Sequence, residues 1–472
     1  MIHANITRAL AITGLALIAG GCSGDKGTST AGGELTAGGE EGDGMAKAVP
    51  IEDEQVISRS RTPIDQPIPQ AEPVSVDSGP PKLDPNAASI WGAPDAESGK
   101  PLPKRKPMKS GAQSSHKQAL ADSDKPQQKA ASAGFQKALS ADPKAYEAAF
   151  NLGVMADRAG QEKRALQYYK RALSIQPDYE KAVQGVVRVH VRNGSPDQAV
   201  SFVQPIAQKW ERNLYLQAVL SEALTEADRV DEAEKAARKA LRRDERFVPA
   251  MVALARASLK RGRNELAESI LKQALVIDGD SPEIHFLQGL ALRESGRLAP
   301  AMKEFRKAVE LRPDYAEAHM ALGRQYMVGG NYGQAQKEFE AVVRLAPMMV
   351  AAHLNLGDAY RANKHWDAAK RELDKTLRMD PELAAAHFNL GLMYMVAKSD
   401  FPKLDNMGAL KRAILEFNNY RQKMGPKLKK DDPSSAYMVD LERSVEREEK
   451  RIARDKKRAE REARKKAMEG GK

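Results

Sequence analysis

The stretch AEAHMALGRQYMVGGNYGQAQKEFEAVVRLAP, residues 316–347, is one copy of a pattern that recurs every 34 residues along this chain. One position of the pattern is alanine in seven successive copies, with no insertion between them: Ala165, Ala199, Ala233, Ala267, Ala301, Ala335 and Ala369. Self-similarity at a fixed period of this size indicates stacked copies of one small unit, none of which can bury its apolar face alone.

Small and turn-forming residues divide each copy into two halves. When the copies are numbered from residues such as Tyr146 and Ala316, the eighth position is glycine at Gly153, Gly289, Gly323, Gly357 and Gly391. A glycine there lets two helices approach more closely than the usual ~8–10 Å between axes. Other residues fall where a helix must end; these are Gly160, Gly194, Gly262, Gly296, Gly330, Pro177, Pro313, Pro347 and Pro381. Each copy is therefore predicted to be a pair of antiparallel helices.

Residues 112–430 resemble the tetratricopeptide-repeat (TPR) family in spacing, residue type and turn positions together. The resemblance implies an all-α fold, a right-handed superhelical solenoid of helix-turn-helix repeats. The sequence indicates the second half of a repeat before residue 144, seven full repeats over 146–383, and an eighth repeat from Ala384. An insertion near 399–409 interrupts that last repeat and forms either a local loop or a contact element.

Three of the repeats are less typical of the family. The repeats that begin at Glu180, Leu214 and Val248 carry neither the glycine at the eighth position nor the closing proline. Because the alanine position and the helical period persist through them, we interpret them as TPRs as well.

The chain begins with the features of an export signal. Arg8 precedes an apolar run over residues 9–19, which is too short to cross ~30 Å of hydrocarbon as a helix. Two glycines and Cys22 follow, which is similar to the lipobox of bacterial lipoproteins, although that family usually has leucine where this chain has Ala19. We predict a signal peptide over 1–21 and a lipid on Cys22. The alternative is a free thiol just past an ordinary cleavage site.

The segment after Cys22 is predicted to be a tether. Residues 22–111 are rich in Gly, Ser, Thr, Ala and Pro and show no sustained period, so they cannot bury a core. A flexible chain of this length spans roughly 50 Å. In the lipoprotein family, a residue other than aspartate after the lipidated cysteine, here Ser23, implies the periplasmic face of the outer membrane.

Residues 434–472 predict a single long helix dominated by charge. Between Leu441 and Met468 there are 12 Lys and Arg against 7 Asp and Glu, so this segment carries +5 of the chain's formal net charge of +11. Met438, Leu441 and Val445 are apolar positions that could pack on the last repeat as the cap that a solenoid needs. Beyond them the helix is either merely solvated or an arm for an acidic protein, for the anionic phosphates of lipid A or for another anionic envelope polymer such as the cell wall. An exported chain is not expected to meet nucleic acid.

The sequence favours binding over catalysis. It has no phosphate-binding loop, no cysteine cluster, no nucleophile elbow and no histidines at metal spacing within one helix turn. Four histidines recur at the fourth position of successive repeats: His285, His319, His353 and His387. Stacked repeats should hold them ~8–10 Å apart, whereas a metal needs ligands within ~2.0–2.1 Å. We therefore predict packing histidines and a non-enzymatic protein with neither cofactor nor metal.

The predicted binding surface lies on the first helix of each repeat. The family resemblance places the second, fifth, ninth and twelfth positions on the concave side of the array. Over the last four repeats these positions predict an apolar strip with methionines and arginines, suited to an amphipathic helix or extended peptide of a partner protein. The alternative is that the same side chains seal the array. The predicted partner-binding residues are Phe286, Leu290, Arg293, Met320, Arg324, Met327, Leu354, Arg361, Phe388, Leu392 and Met395.

Together these features predict a lipid-anchored outer-membrane protein whose tether presents a TPR scaffold to protein partners in the periplasm. This plan resembles the TPR lipoproteins of the myxobacterial adventurous gliding machinery, which implies a part in an envelope-spanning complex. Two alternatives are a pilotin-like assembly factor for a type IV pilus secretin and a regulator of cell-wall synthases.

Overall fold

The computed structural model describes residues 101–123, 128–401 and 404–469. All regular secondary structure in these residues is helical. Helices α1 to α6 are Ser110–Ser123, Gln128–Ala141, Tyr146–Arg158, Glu162–Ile175, Glu180–Arg192 and Pro196–Lys209. Helices α7 to α12 are Leu214–Glu226, Val230–Leu241, Val248–Lys260, Asn264–Ile277, Pro282–Glu294 and Leu298–Leu311. Helices α13 to α19 are Ala316–Val328, Tyr332–Leu345, Val350–Ala362, Trp366–Met379, Ala384–Ala397, Asn406–Met424 and Pro433–Glu469.

These helices form the repeats that the sequence predicts. From α1 to α18, each odd-numbered helix is the first of a repeat (helix A) and each even-numbered helix is the second (helix B). The A helices of neighbouring repeats also contact one another, as α5 contacts α7, α7 contacts α9 and α9 contacts α11. The predicted all-α TPR array is confirmed. The signal peptide, Cys22 and the tether up to residue 100 lie outside the described residues.

The described chain divides into two compact units, with the boundary between Ala318 and His319 inside α13. The first unit contains α1 to α12, and the second contains α14 to α19.

Close approach of the two helices explains the glycine at the eighth position. A Cβ added to Gly289 on α11 would lie 2.5 Å from Cε1 of Phe305 on α12, and the ring of Phe305 is fully buried. In the second unit, a Cβ on Gly357 would lie 2.8 Å from Cγ of Leu373. Only a residue without a side chain fits against these large B-helix side chains.

The four repeated histidines join helix A to helix B within each repeat. Their Nδ1 atoms lie 2.6 to 2.7 Å from a glutamate Oε2 on helix B, in the pairs His285–Glu304, His319–Glu338, His353–Glu372 and His387–Glu416. Nε2 of His353 also lies 2.9 Å from the carbonyl oxygen of Pro347, which belongs to the preceding repeat. The histidines are thus the packing side chains that the spacing predicts.

The first pair of helices completes the repeat of which the sequence indicates only the second half. Helix α1 is rich in Ala, Ser and Gln, and its buried Ala119 contacts α2 so closely that a Cβ on Gly134 would lie 2.7 Å from the Ala119 Cβ. The extended residues 101–109 lie against the first repeats, because Arg105 pairs with Glu180 at 2.7 Å. The end of the predicted tether is therefore fixed to the array.

The C-terminal half of the second unit is closed by α19. Phe388 on α17 packs against Phe417 and Tyr420 of α18, and Tyr437 of α19 lies 5.6 Å from the Phe417 ring. Leu441 of α19 is 1% exposed in the same cluster. In the insertion after α17, Phe401 is buried and stacks on Tyr394 at 5.1 Å, so this segment contacts the core.

Candidate functional site

The apolar residues that the sequence assigns to partner binding lie in the interior. Six of them are at most 6% exposed: Phe286, Leu290, Met320, Leu354, Phe388 and Leu392. Phe286, at the fifth position of α11, is covered by the Phe305 ring at 5.9 Å and the Tyr315 ring at 5.1 Å. These side chains therefore do not form an exposed apolar strip. Their burial favours the other interpretation, that they seal the array.

The remaining predicted residues are partly accessible or are paired within their own helix. Arg293 donates to its neighbour Glu294 at 2.5 Å, and the buried Arg361 donates to Asp358 at 2.8 Å. Arg324, Met327 and Met395 keep partial exposure. A role in partner binding for these residues stays a prediction.

A different set of side chains forms an accessible polar surface in the first unit. We call it the helix-A wall, and it consists of Gln184 and Arg188 on α5, Glu222 and Glu226 on α7, Arg256 and Lys260 on α9, and Glu283 on α11. All seven residues are at least partly exposed. They occupy the second, fifth, ninth and thirteenth positions of their repeats. The wall thus uses three of the four positions that the family resemblance suggests, but in the three less typical repeats and the next one.

Hydrogen bonds across the wall connect successive repeats. Gln184 Nε2 donates to Glu222 Oε2 at 3.3 Å, from α5 to α7. Arg256 Nη2 donates to Glu283 Oε1 at 2.6 Å, from α9 to α11. The side chains of Arg256 and Glu283 keep 20% and 45% of their exposure, so this ion pair lines an accessible surface.

Neighbouring charges keep Glu283 ionised. Burial alone would raise the pKa of Glu283, but attraction to Arg256, and to a lesser extent to Arg312 and Arg188, lowers it. Arg188 lies on α5 and Arg256 on α9, so the wall surrounds this carboxylate with positive charge.

Glu226 is a wall carboxyl group whose ionisation is opposed by burial. Its pKa is raised to about 7, mainly by burial and also by the nearby Glu222, although Arg256 and Lys260 offset part of the shift. Among the described residues, Glu226 has no hydrogen-bonded partner. A carboxylate that is partly accessible yet strongly dehydrated lies in a recess of the wall and favours a cation supplied from outside.

The wall residues were not among those that the sequence suggested, although a signal for them exists. Glu222 and Glu226 are the only charged residues of α7, whose sequence is LYLQAVLSEALTE. They stand four residues apart and so share one face, where two like charges destabilise a helix by ~0.2–0.5 kcal/mol. This pair of carboxylates stands in a helix that is otherwise uncharged. It is therefore the sequence feature that could have indicated the helix-A wall.

The wall has the chemistry of a binding surface. Within the part of the chain that the structure describes, no group of three His, Cys, Asp or Glu residues is placed to hold a metal ion. The described helices also include none that is long and apolar enough to cross a membrane. The wall presents three carboxylates, two guanidinium groups, one ammonium group and one amide, which suits polar recognition of a polypeptide.

Comparison with known families identifies the repeat. A model described as tetratricopeptide repeat matches residues 224–290, and one described as TPR repeat matches 289–329. A further tetratricopeptide-repeat model matches 127–180, 320–369 and 359–421. A search of curated proteins gives no match.

Several solved structures are similar to this chain. The APC/C hetero-tetramer Cut9-Hcn1 is 14% identical with a TM-score of 0.48, and the match covers 72% of this chain and 78% of that one. TTC0263, a thermophilic TPR protein in Thermus thermophilus, is 25% identical with a TM-score of 0.35, over 39% of this chain and 100% of that one. YrrB, described as a TPR protein with an unusual peptide-binding site, is 20% identical with a TM-score of 0.31, over 39% and 95%.

Proposed function

Since the chain belongs to the tetratricopeptide-repeat family, we propose that it is a non-enzymatic scaffold that docks a segment of a partner protein along the helix-A wall of its first unit. The observation that carries this proposal is Glu226, a dehydrated carboxylate with no hydrogen-bonded partner among the described residues. A lysine or arginine of the partner would pair with it, and a hydrogen bond between such charged groups contributes about 1.5–3 kcal/mol.

The side chains of the helix-A wall restrict which partner segment can bind to it. Arg256 and Glu283 already satisfy each other, and Gln184 donates to Glu222. A partner therefore needs one cation for the recess at Glu226 and backbone or side-chain polar groups for the remaining amide and guanidinium groups. An extended or helical polypeptide can supply both along one line.

Charge reversal in the recess tests this docking site. We expect the amount of partner that co-purifies from cells with the Glu222→Lys, Glu226→Lys double variant to fall at least about tenfold. One good charged hydrogen bond contributes more than about 1.4 kcal/mol, which corresponds to a factor of ten in affinity. The matched control is Glu265→Lys with Glu310→Lys, two exposed carboxylates on the B helices α10 and α12. Equal retention of partners by both double variants would exclude the wall as the docking site.

We further propose that the scaffold is held by a lipid on Cys22 at the periplasmic face of the outer membrane, within an envelope-spanning complex for gliding motility. Support for this placement comes from the N-terminal sequence, in which Arg8, the apolar run over 9–19 and Cys22 resemble a lipoprotein signal. Cys22→Ala is expected to move the protein from the membrane to the soluble periplasmic fraction. Unchanged membrane retention would exclude the anchor, and co-purification of a secretin or a cell-wall synthase in place of gliding proteins would exclude the gliding assignment.

A further inference from the structure

We propose that the free end of α19 binds an anionic phospholipid surface through one straight row of basic side chains. We call this row the basic stripe, and it consists of Arg447, Lys450, Arg454, Lys457, Arg461 and Arg464. The inference is independent of the helix-A wall, which lies in the first unit, whereas the stripe lies in the second.

The helix leaves the packed core well before it ends. Leu441 is 1% exposed and Glu448 is 7% exposed, so the first part of α19 packs on the second unit. From residue 451 to residue 466 every side chain is exposed. Arg447, Lys450 and Arg454 also line a cleft against Lys398 and Leu410, whereas residues 455–466 line no such cleft and are accessible to a partner.

The stripe lies on one face of the helix. Its members are separated by three, four, three, four and three residues, which is the spacing of neighbours along a single face. At 1.5 Å per residue, the row from Arg447 to Arg464 extends over about 26 Å. All six side chains are exposed.

Several acidic side chains of α19 pair with cations that lie off the stripe. Arg451 pairs with Glu448 at 2.6 Å and with Asp455 at 3.1 Å, and Arg458 pairs with Glu462 at 3.0 Å. Within the stripe, Lys450 pairs with Glu446 at 2.5 Å. The last four members of the stripe have no carboxylate partner among the described residues. The pairing thus leaves the positive charge concentrated on one side of the helix.

The geometry favours a flat anionic surface over other polyanions. A plane touches a straight helix along one line, as the stripe provides, whereas a nucleic-acid groove surrounds a helix and meets cations on several faces. Beyond Arg464 the same face continues to Met468, which is 79% exposed and can enter the lipid interface. Between Arg447 and Arg464 this face of α19 carries no large apolar side chain that could serve as the anchor of a protein–protein interface.

Vesicle sedimentation with the full chain tests the stripe. We expect binding to vesicles of phosphatidylcholine with phosphatidylglycerol to exceed binding to pure phosphatidylcholine, and the excess to vanish when NaCl is raised from about 0.1 M to about 0.5 M. Each basic residue near an anionic surface strengthens partitioning by about fivefold. The Lys457→Glu, Arg461→Glu variant should therefore lose at least about 25-fold of the excess binding.

The matched control has the same change in net charge on the opposite side of the helix. Lys456→Glu with Lys466→Glu lies off the stripe, and this variant should keep most of the excess binding. Circular dichroism must show equal helicity for the two variants. Three results would each overturn the proposal. They are an equal loss of vesicle binding in both variants, no preference of the wild type for anionic vesicles, and salt-resistant binding to double-stranded DNA without vesicle binding.

Discussion

The Arg256 guanidinium on α9 donates to the Glu283 carboxylate on α11 at 2.6 Å, which joins helix A of one repeat to helix A of the next. Stability in repeat arrays resides largely in such contacts between neighbours. The same ion pair forms part of the helix-A wall. One contact therefore both links neighbouring repeats of the first unit and lines its proposed binding surface.

Removal of the Glu283 charge should weaken this junction. Glu283→Gln leaves Arg256 without its carboxylate, and we expect the free energy of unfolding to fall by about 1 kcal/mol, because the pair is only partly desolvated. Chemical denaturation measures the change. The exposed Glu310→Gln on α12 is the control and should leave stability within about 0.5 kcal/mol of the wild type.

Glu226 should make the first unit less stable as the pH rises. Its pKa is 4.5 as an ordinary glutamate and about 7 in the folded chain, so the folded state holds the proton more tightly. Its stabilising effect is present below the unfolded pKa and is lost as the pH rises through about 7. Glu226→Gln should therefore be more stable than the wild type by about 2 kcal/mol near pH 8 and equal to it near pH 4. A constant difference at both pH values would show that Glu226 is not dehydrated in the folded state.

The glycine at the eighth position is expected to be indispensable where it faces an aromatic ring. Gly289→Ala places a methyl group against the buried Phe305 ring, and we expect a loss of about 1–3 kcal/mol. Phe305→Leu in the same chain should recover part of that loss, because the same two positions of the repeat that begins at Val248 are the buried Ala255 and Leu271. Gly333→Ala serves as the control. Since nothing lies within 4 Å of its added Cβ, it should be neutral or slightly stabilising in thermal unfolding.

Two truncations should distinguish the structural roles of the packed and the exposed parts of α19. Every side chain of 452–466 is exposed, as is Met468, so deletion of residues 452–472 should leave the thermal unfolding of the second unit unchanged. Deletion of 434–472 also removes Tyr437 and Leu441 from the core, and it should cost about 3 kcal/mol or more. If both truncations destabilise the unit equally, the exposed end of α19 has a structural role that the packing does not explain.

The fold could be predicted from the sequence because the period of 34 residues fixes both helices of every repeat. The same period failed at α1, where Ala119 replaces the glycine of the eighth position and the one large apolar residue, Leu120, is exposed. Periodicity detects side chains that recur between repeats. A helix of mostly small and polar residues therefore cannot be recognised as helix A of a repeat until the contact of its Ala119 with Gly134 is known.

The accessible side chains of the candidate site were harder to predict because burial depends on neighbouring repeats. The family resemblance assigns Phe388 to an inner position, but the sequence does not show that Phe417 and Tyr420 of the next helix cover it. The raised pKa of Glu226 likewise depends on charges from two neighbouring repeats, Glu222 on α7 and Arg256 and Lys260 on α9. Position in the repeat therefore predicts which face of helix A a residue occupies, whereas packing between repeats decides which side chains remain accessible.

Site-specific photo-crosslinking in cells tests the docking proposal most directly. A photoreactive amino acid at Arg188 or Glu222, on the helix-A wall, is compared with the same amino acid at Glu265 or Glu310, on exposed B-helix faces of the same unit. We expect one protein adduct from the wall positions, its loss in the Glu226→Lys background, and no such adduct from the B-helix positions. Adducts from the B-helix positions alone, or wall adducts that survive Glu226→Lys unchanged, would contradict partner docking on the helix-A wall.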